Sequence, residues 1–421
     1  MDGSSALGKA LAAAETAPPV ESVDVIASAL REQFGARSVS FLITDHLGSS
    51  LVRLGASAGM DTDRPADPIT VRGTVYDEVI RTQQPHVEGV AGGEWTRVIA
   101  PVTNRGDAIG LLELLLPHHP GPQTMREISH SAHILAYIVI ANRPFTDLYQ
   151  WGRRTAPLGL AAEIQHRLLP TSLACEAAQF SVAGALEPAE FAGGDTFDYV
   201  IDRDHVQLSV TDAMGHDVQA ALFATLVVSA LRGARRKGAG LAEQARLADE
   251  AMTGQHHGNG YVTGQLLRIS LADGTTELIN AGHPWPLRLR AGKVEQITLA
   301  VDMPFGFAVA HTYTVQRIDL RAGDRLVMFT DGILEHGAAH VDMPALIQAI
   351  RDLHPREAAR TLIEQVVEAH DGVLPDDATV MCLDWHGTNN TRRDADHGAD
   401  LGSASPAPTH ATENLVPGLP Q

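Results

Sequence analysis

191-FAGGDTFDYV-200 sets two carboxylates, Asp195 and Asp198, three residues apart behind a pair of glycines. Neither a helix nor a simple strand favours that combination. Paired glycines let the backbone turn where a side chain would clash, and a short carboxylate just past such a turn is either solvated or aimed at something. A lone Gly-Gly-Asp fits an ordinary solvated turn, so its meaning depends on whether distant segments repeat the pattern. They do. Asp212 ends the alternating run 206-VQLSVTD-212, Asp331 ends 324-DRLVMFTDG-332, and Asp376 precedes the strand-like run in 375-PDDATVMCL-383. Strands of one pair of packed sheets would carry these four side chains to a common rim. Adjacent carboxylates repel unless a cation compensates them, and two divalent ions would balance four aspartates. All-oxygen ligation without Cys or His at ligand spacing points to Mg²⁺ or Mn²⁺ rather than zinc.

Composition narrows the class. The 421 residues are 44% hydrophobic and 20% charged, which suits a folded chain of two or three domains. A formal net charge of -19 argues against capture of nucleic acid or an anionic membrane, both of which need clustered Lys and Arg. The short basic run 232-RGARRKG-238 reads as the solvated end of a helix. Cys175 and Cys382 stand far apart, giving no disulfide framework and no zinc spacing, as expected in a reducing cytoplasm. The N-terminal 1-MDGSSALGKALAAAETAPP-19 lacks the apolar core of a signal peptide, and no apolar run is read as reaching transmembrane length. The expectation is a cytoplasmic protein.

The patterning divides the chain into a flexible N-terminus (1–19), a first domain (20–145), a linker helix (146–178), a second domain (179–385) and a disordered tail (386–421) poor in apolar residues. In the first domain, 23-VDVIASALREQF-34 has helical spacing, 38-SVSFLITD-45 and 49-SSLVRLGAS-57 alternate like strands, and a hairpin turns at Asn104 to Asp107. The helix 129-SHSAHILAYIVIAN-142 closes the unit before Pro144. His118 and His119 follow a strand-like run and read as a solvated turn. In the linker, 158-LGLAAEIQHRLLP-170 carries a stripe of Leu158, Ala161, Ala162, Gln165, Leu168 and Leu169, with Pro157 suited to its first turn and Pro170 to its end. The second domain alternates strands and helices, including a strong helix from Asp217 to Arg236 with an acid at its start and bases at its end.

The order of elements in the first domain resembles a GAF domain, a small sensory α/β module that often dimerises through its end helices. That implies an unknown small-molecule ligand and a possible homodimer. The second domain resembles the PPM-type metal-dependent Ser/Thr phosphatases, in the bacterial branch typified by SpoIIE and RsbU. The matching runs are EFAGGDTFD, VTDAMGHDVQAAL, NAGHPWPLRL, FTDGILE and DDATVMCL, preceded by EIQHRLLP, in the family's order over residues 160 to 385.

The resemblance implies a mixed α/β (α+β) fold, an α-β-β-α sandwich with a site for two Mn²⁺ or Mg²⁺ ions at one edge of its sheets. Asp195 and Asp212 would hold or bridge the ions, the Ala213 backbone carbonyl would add a ligand, and Asp331 and Asp376 would complete the set. Water activated between the ions would attack phosphorus without a phosphoenzyme. Asp198 is expected near the rim, supporting the ligands, structural, or in a solvated turn. Asp377 is expected to shape the turn or support a ligand. His283 in NAGHP is expected to pack or shape a loop.

Three positions depart from the family. Met214 stands where many eukaryotic relatives have a histidine, leaving the general acid unassigned, with His216 nearby but displaced. Thr196 replaces a usual aromatic residue, and Asp217 a usual glycine. The expected function is a metal-dependent protein serine/threonine phosphatase acting on a phosphorylated STAS-domain anti-anti-sigma factor under control of the GAF-like domain. The alternative is a catalytically weak sensor or scaffold that uses a phosphatase-like domain to bind partners. A small-molecule phosphate ester remains a third substrate class.

Overall fold

The structure is a computed structural model that describes residues 3–54, 67–90, 93–155, 158–189, 193–215, 217–256, 260–307, 309, 311–333, 341–390 and 392–408. The chain forms two compact units, residues 1–157 with 394–421, and residues 158–393.

The first unit is built on one antiparallel sheet of β1 (Ser38–Thr44), β2 (Ser50–Leu54), β3 (Ile69–Thr70), β4 (His86–Gly89), β5 (Thr96–Asn104) and β6 (Asp107–Leu116), in the order β3-β2-β1-β6-β5-β4. The β5–β6 hairpin turns where Arg105 and Gly106 both take positive φ. Period-two alternation divides the side chains between two cores. Phe41, Ile43, Leu112 and Leu114 face α2 (Ser22–Phe34) and α4 (Pro122–Asn142). Leu42 and Leu111 face α3 (Val75–Thr82) on the opposite side.

Several expectations change here. Residues 1–19 include helix α1 (Gly3–Thr16), because an alanine-rich segment forms helix without an apolar face strong enough to announce it. The span 146–178 is not one helix. Leu148 and Tyr149 of α5 (Leu148–Gly152) belong to the first unit's core, whereas α6 (Leu160–Leu168) belongs to the second unit. Helix α6 begins at Leu160 with Gly159 as its N-cap, and Pro157 lies outside the described residues.

The tail is also ordered in part. Within the first unit, Gly106 N donates 3.0 Å to Gly398 O, and Ala399 and Ser405 are buried. These residues reach cover through backbone contacts, which an apolar-content reading does not register. Residues 409–421 lie outside the described residues.

The second unit is an α-β-β-α sandwich. One sheet runs β15-β12-β11-β10-β9, from β9 (Thr196–Ile201), β10 (His205–Ala213), β11 (Val262–Ser270), β12 (Thr276–Ala281) and β15 (Gln316–Ile318). The other runs β14-β13-β16-β17-β8-β7, from β7 (Ala174–Glu176), β8 (Phe180–Glu187), β13 (Leu287–Arg290), β14 (Lys293–Gln296), β16 (Asp324–Phe329) and β17 (Ala378–Trp385). Helices α6, α7 (Asp217–Arg236) and α8 (Leu241–His256) cover the first sheet, while α9 (Met343–Ala349) and α10 (Pro355–Ala369) belong to the second sheet's side.

Helix α7 has the length and mean hydropathy of a membrane span, which the sequence reading overlooked. Here its apolar residues, among them Ala220, Phe223, Val227 and Leu231, pack on the sheet as a core helix. Arg232 and Arg235 near its end are not simply solvated, since both pair with Asp198.

Between the sheets, Phe197, Val206, Leu208, Val210, Leu326, Met328, Met381 and Leu383 form one buried core. The same alternation, carried past the ends of these strands, sets Asp195, Asp212, Thr330 and Asp377 in line with the inward-facing rows. The apolar gap between the sheets therefore ends in a polar rim.

Candidate active site

The turn that opens the rim depends on close backbone approach. A Cβ on Gly194 would lie 2.5 Å from the Ala213 carbonyl oxygen, and one on Gly193 would lie 2.7 Å from Ala161 Cβ. Only glycine lets this segment pass between β10 and α6. Gly332, just after Asp331, is similarly constrained, since its Cβ would fall 2.1 Å from the Asp377 carbonyl oxygen.

Asp377 holds this turn from across the sandwich. Its carboxylate accepts from Ala189 N at 2.9 Å, Gly194 N at 3.1 Å and Asp195 N at 3.4 Å. It also accepts from Gln165 Nε2 at 2.6 Å, and the same amide donates 2.9 Å to the Asp195 backbone oxygen. Gln165 is fully buried on α6. The turn-shaping expectation for Asp377 holds. Gln165 was read only as part of an apolar stripe, and a glutamine among leucines and alanines was the available signal that it had a buried partner.

Asp195 is 3% exposed, and its Oδ2 accepts from the Thr330 hydroxyl at 2.6 Å. That hydroxyl also accepts from Thr379 N at 3.1 Å, so one side chain ties Asp195 to β17. Asp212 lies one residue before the end of β10, Asp331 opens a single 3-10 turn after β16, and Asp376 accepts from Asp377 N at 2.8 Å.

The electrostatics show which groups converge. Burial raises the Asp195 pKa well above the carboxylate range, with the Asp212 and Asp377 charges adding and Thr330 opposing. Asp212 is likewise raised well above its ordinary value by burial, then by Asp331 and Asp376, with a hydrogen bond to Asp331 and the Asp377 charge contributing. Burial raises Asp377 against its hydrogen bonds from Ala189 and Gln165. Asp212 is thus the centre of a set whose members disfavour one another's charge, and a cation would relieve that cost. Among the described residues no three His, Cys, Asp or Glu side chains are clustered tightly enough to hold one ion together as they stand. The donor set fits hard divalent ions in chemistry and charge.

Of the roles expected for Asp198, the structural one is the one it takes. It lies within β9, opposite Ser209, and points toward the helix layer. Arg232 Nε donates 3.0 Å to it, and Arg235 makes a second, shorter contact. It fastens α7 to the sheet because position 198 alternates with inward-facing Phe197. His283 is buried, with Nδ1 2.8 Å from the Thr263 hydroxyl and its backbone N donating 2.8 Å to Asn280 Oδ1, in keeping with loop shaping. The Thr196 and Thr211 hydroxyls share a 2.6 Å hydrogen bond on paired strands. Met214 is exposed, and His216 lies outside the described residues. Asp217 takes a φ of 68°, the left-handed region that explains a glycine there in relatives.

This mixed α/β fold is the one expected of a PP2C-type (PPM) domain. Residues 202–386 match the family described as Stage II sporulation protein E (SpoIIE). Stage II sporulation protein E of Priestia megaterium is 24% identical over 206 residues, covering 48% of this chain and 35% of that protein. Phosphoserine phosphatase RsbU of Bacillus subtilis (strain 168) is 20% identical over 230 residues, covering 53% of this chain and 68% of that one. Among solved structures, the SiaA-PP2C domain of Pseudomonas aeruginosa aligns with a TM-score of 0.46 at 20% identity, over 53% of this chain and 94% of that one. The chain thus spans about a third of the length of the Priestia relative.

Proposed function

We propose that the chain is a metal-dependent protein serine/threonine phosphatase. The observation that carries this reading is the charge penalty placed on Asp212 by burial and by the Asp331 and Asp376 carboxylates, and on Asp195 by burial and Asp212, at the end of the inter-sheet core. Asp195, Asp212, Asp331, Asp376 and the Ala213 carbonyl would hold two Mn²⁺ or Mg²⁺ ions. When bound, such ions supply an activated water and neutralise charge on the phosphoryl oxygens.

The chain's own residues do the positioning. Thr330 aims the Asp195 carboxylate, while Gln165 and Asp377 hold the 193–195 backbone that carries it. The exposed Met214 carries no proton to give the leaving serine oxygen.

The finer reading is that the substrate is a phosphorylated STAS-domain protein and that the first unit is a GAF-like sensor in a cytoplasmic homodimer. It is supported by the name of the RsbU relative, a phosphoserine phosphatase, and by the six-stranded sheet with helices on both faces in the first unit. Regulation would act through α6, because Gln165 is the contact by which a helix adjoining the first unit in sequence reaches the Asp195 turn. A second reading, a weakly catalytic scaffold, draws on the lack of a ready three-ligand cluster among the described residues.

The deciding assay measures hydrolysis of a phosphorylated STAS protein and of a generic aryl phosphate with Mn²⁺, Mg²⁺ or chelator. Metal-dependent turnover that favours the protein and is lost in Asp331→Ala supports the phosphatase. Inert wild-type protein under every condition supports the scaffold.

A further inference from the structure

The first unit contains a second unbalanced charge cluster, of opposite sign and remote in sequence from the aspartates. Arg143, just after α4, and Arg153, just after α5, line a cavity of about 30 Å³ together with Thr44, Asp107, Tyr149 and Gln150. That volume exceeds what one water needs and suits the charged end of a small ligand. Both arginines are half-buried, and the Arg153 Nε is buried without a hydrogen-bond partner. Among the described residues neither guanidinium lies within ion-pair distance of a carboxylate, although Asp107 acts on both and Asp45 on Arg153 from further away. Asp45 is itself engaged by Ser49, through its backbone N at 2.9 Å and its hydroxyl at 3.0 Å.

Two guanidiniums that share a cavity with a single carboxylate, Asp107, leave a net positive charge that an oxyanion would balance, since each offers a planar fork of donors that matches carboxylate or phosphate. Burial lowers both arginine pKa values, and in Arg153 the neighbouring Arg143 lowers it further. Two of the lining hydroxyls are held by hydrogen bonds. The Tyr149 hydroxyl is fixed 3.0 Å from the Ser22 hydroxyl, and the Thr44 hydroxyl donates to Ala108 O and Ile109 O.

We propose that Arg143 and Arg153 form a binding site in the first unit for a small oxyanion, the carboxylate or phosphate group of a ligand. The site lies on the α2/α4 side of the sheet, and α5 is the last helix before the chain enters the second unit.

The test uses the full chain in chelator, so that the metal-free aspartate rim repels anions and cannot mimic the site. Thermal unfolding is followed as chloride is replaced at constant ionic strength by inorganic phosphate or by acetate. A midpoint that rises with one of them supports the site, and the more effective anion assigns the ligand group as phosphate or carboxylate. Arg143→Met and Arg153→Met are expected to abolish the rise. If either fails to fold, Arg153→Lys, which keeps the charge but not the fork, is expected to bind at least tenfold more weakly. No rise with either anion, or the same rise in wild type and variants, overturns the proposal.

Discussion

An added methyl at Gly194 would stand 2.5 Å from the Ala213 carbonyl oxygen, inside any real contact distance, so a single carbon tests the turn that carries Asp195. Gly194→Ala is expected to lower stability by about 1–3 kcal/mol, the usual cost of overpacking. It should abolish turnover even where the protein still folds, as phosphatase assays and urea titration together would reveal. His283 gives a separate prediction, in pH. Desolvation lowers its pKa to about 3, against the smaller opposing effect of the Phe329 backbone carbonyl, an acceptor that favours the protonated ring. Below its unfolded value of about 6.5, the unfolded chain binds a proton that the folded chain refuses. Stability is therefore complete above that pH and is lost on acidification toward pH 3, by up to about 1.4 kcal/mol per pH unit. Urea midpoints of wild type and His283→Gln at pH 7 and pH 5 should diverge, with the smaller acid loss in the variant. An equal loss in both would remove His283 as the cause. The acids at the rim were legible in the sequence because each ends or precedes an alternating run. Asp198 was not, since its role depends on which face of β9 it occupies and on helical arginines distant in sequence.

Helix α6 and helix α7 are fastened to the same sheet by polar contacts, and each contact can be cut separately. Gln165→Ala removes the amide shared by Asp377 and the Asp195 backbone. Loss of such support for metal ligands typically weakens metal affinity 10–100-fold. The Mn²⁺ concentration for half-maximal turnover should rise by about that factor while the maximal rate changes less. An unchanged metal dependence would show that α6 does not govern the site. Asp198→Asn leaves Arg232 and Arg235 without their carboxylate, and with one of them partly exposed the expected loss is about 2–3 kcal/mol by chemical denaturation. Apolar periodicity located both helices but could not reveal their polar ties, which involve residues thirty or more positions apart. Helix α1 escaped notice for a different reason, the weak apolar face of its alanine-rich segment.

At the scale of the whole molecule, the chain divides at residue 157, and each unit carries its own core. A fragment of residues 158–393 is expected to unfold cooperatively and to retain metal-dependent hydrolysis. A fragment that fails to fold would show that the first unit is needed for more than regulation. The sandwich was legible because five motifs fall in order at strand ends. The boundary was less so, because α5 and α6 look alike in sequence and only packing assigns them to different units. The central claim is that the aspartate rim assembles around two divalent ions, and calorimetric titration of Mn²⁺ alongside turnover tests it most directly. Two ions bound per chain in wild type, with binding and hydrolysis both lost in Asp212→Asn, is the predicted result. Hydrolysis that survives in Asp212→Asn, or wild-type protein that binds no Mn²⁺ while still turning over substrate, would contradict it.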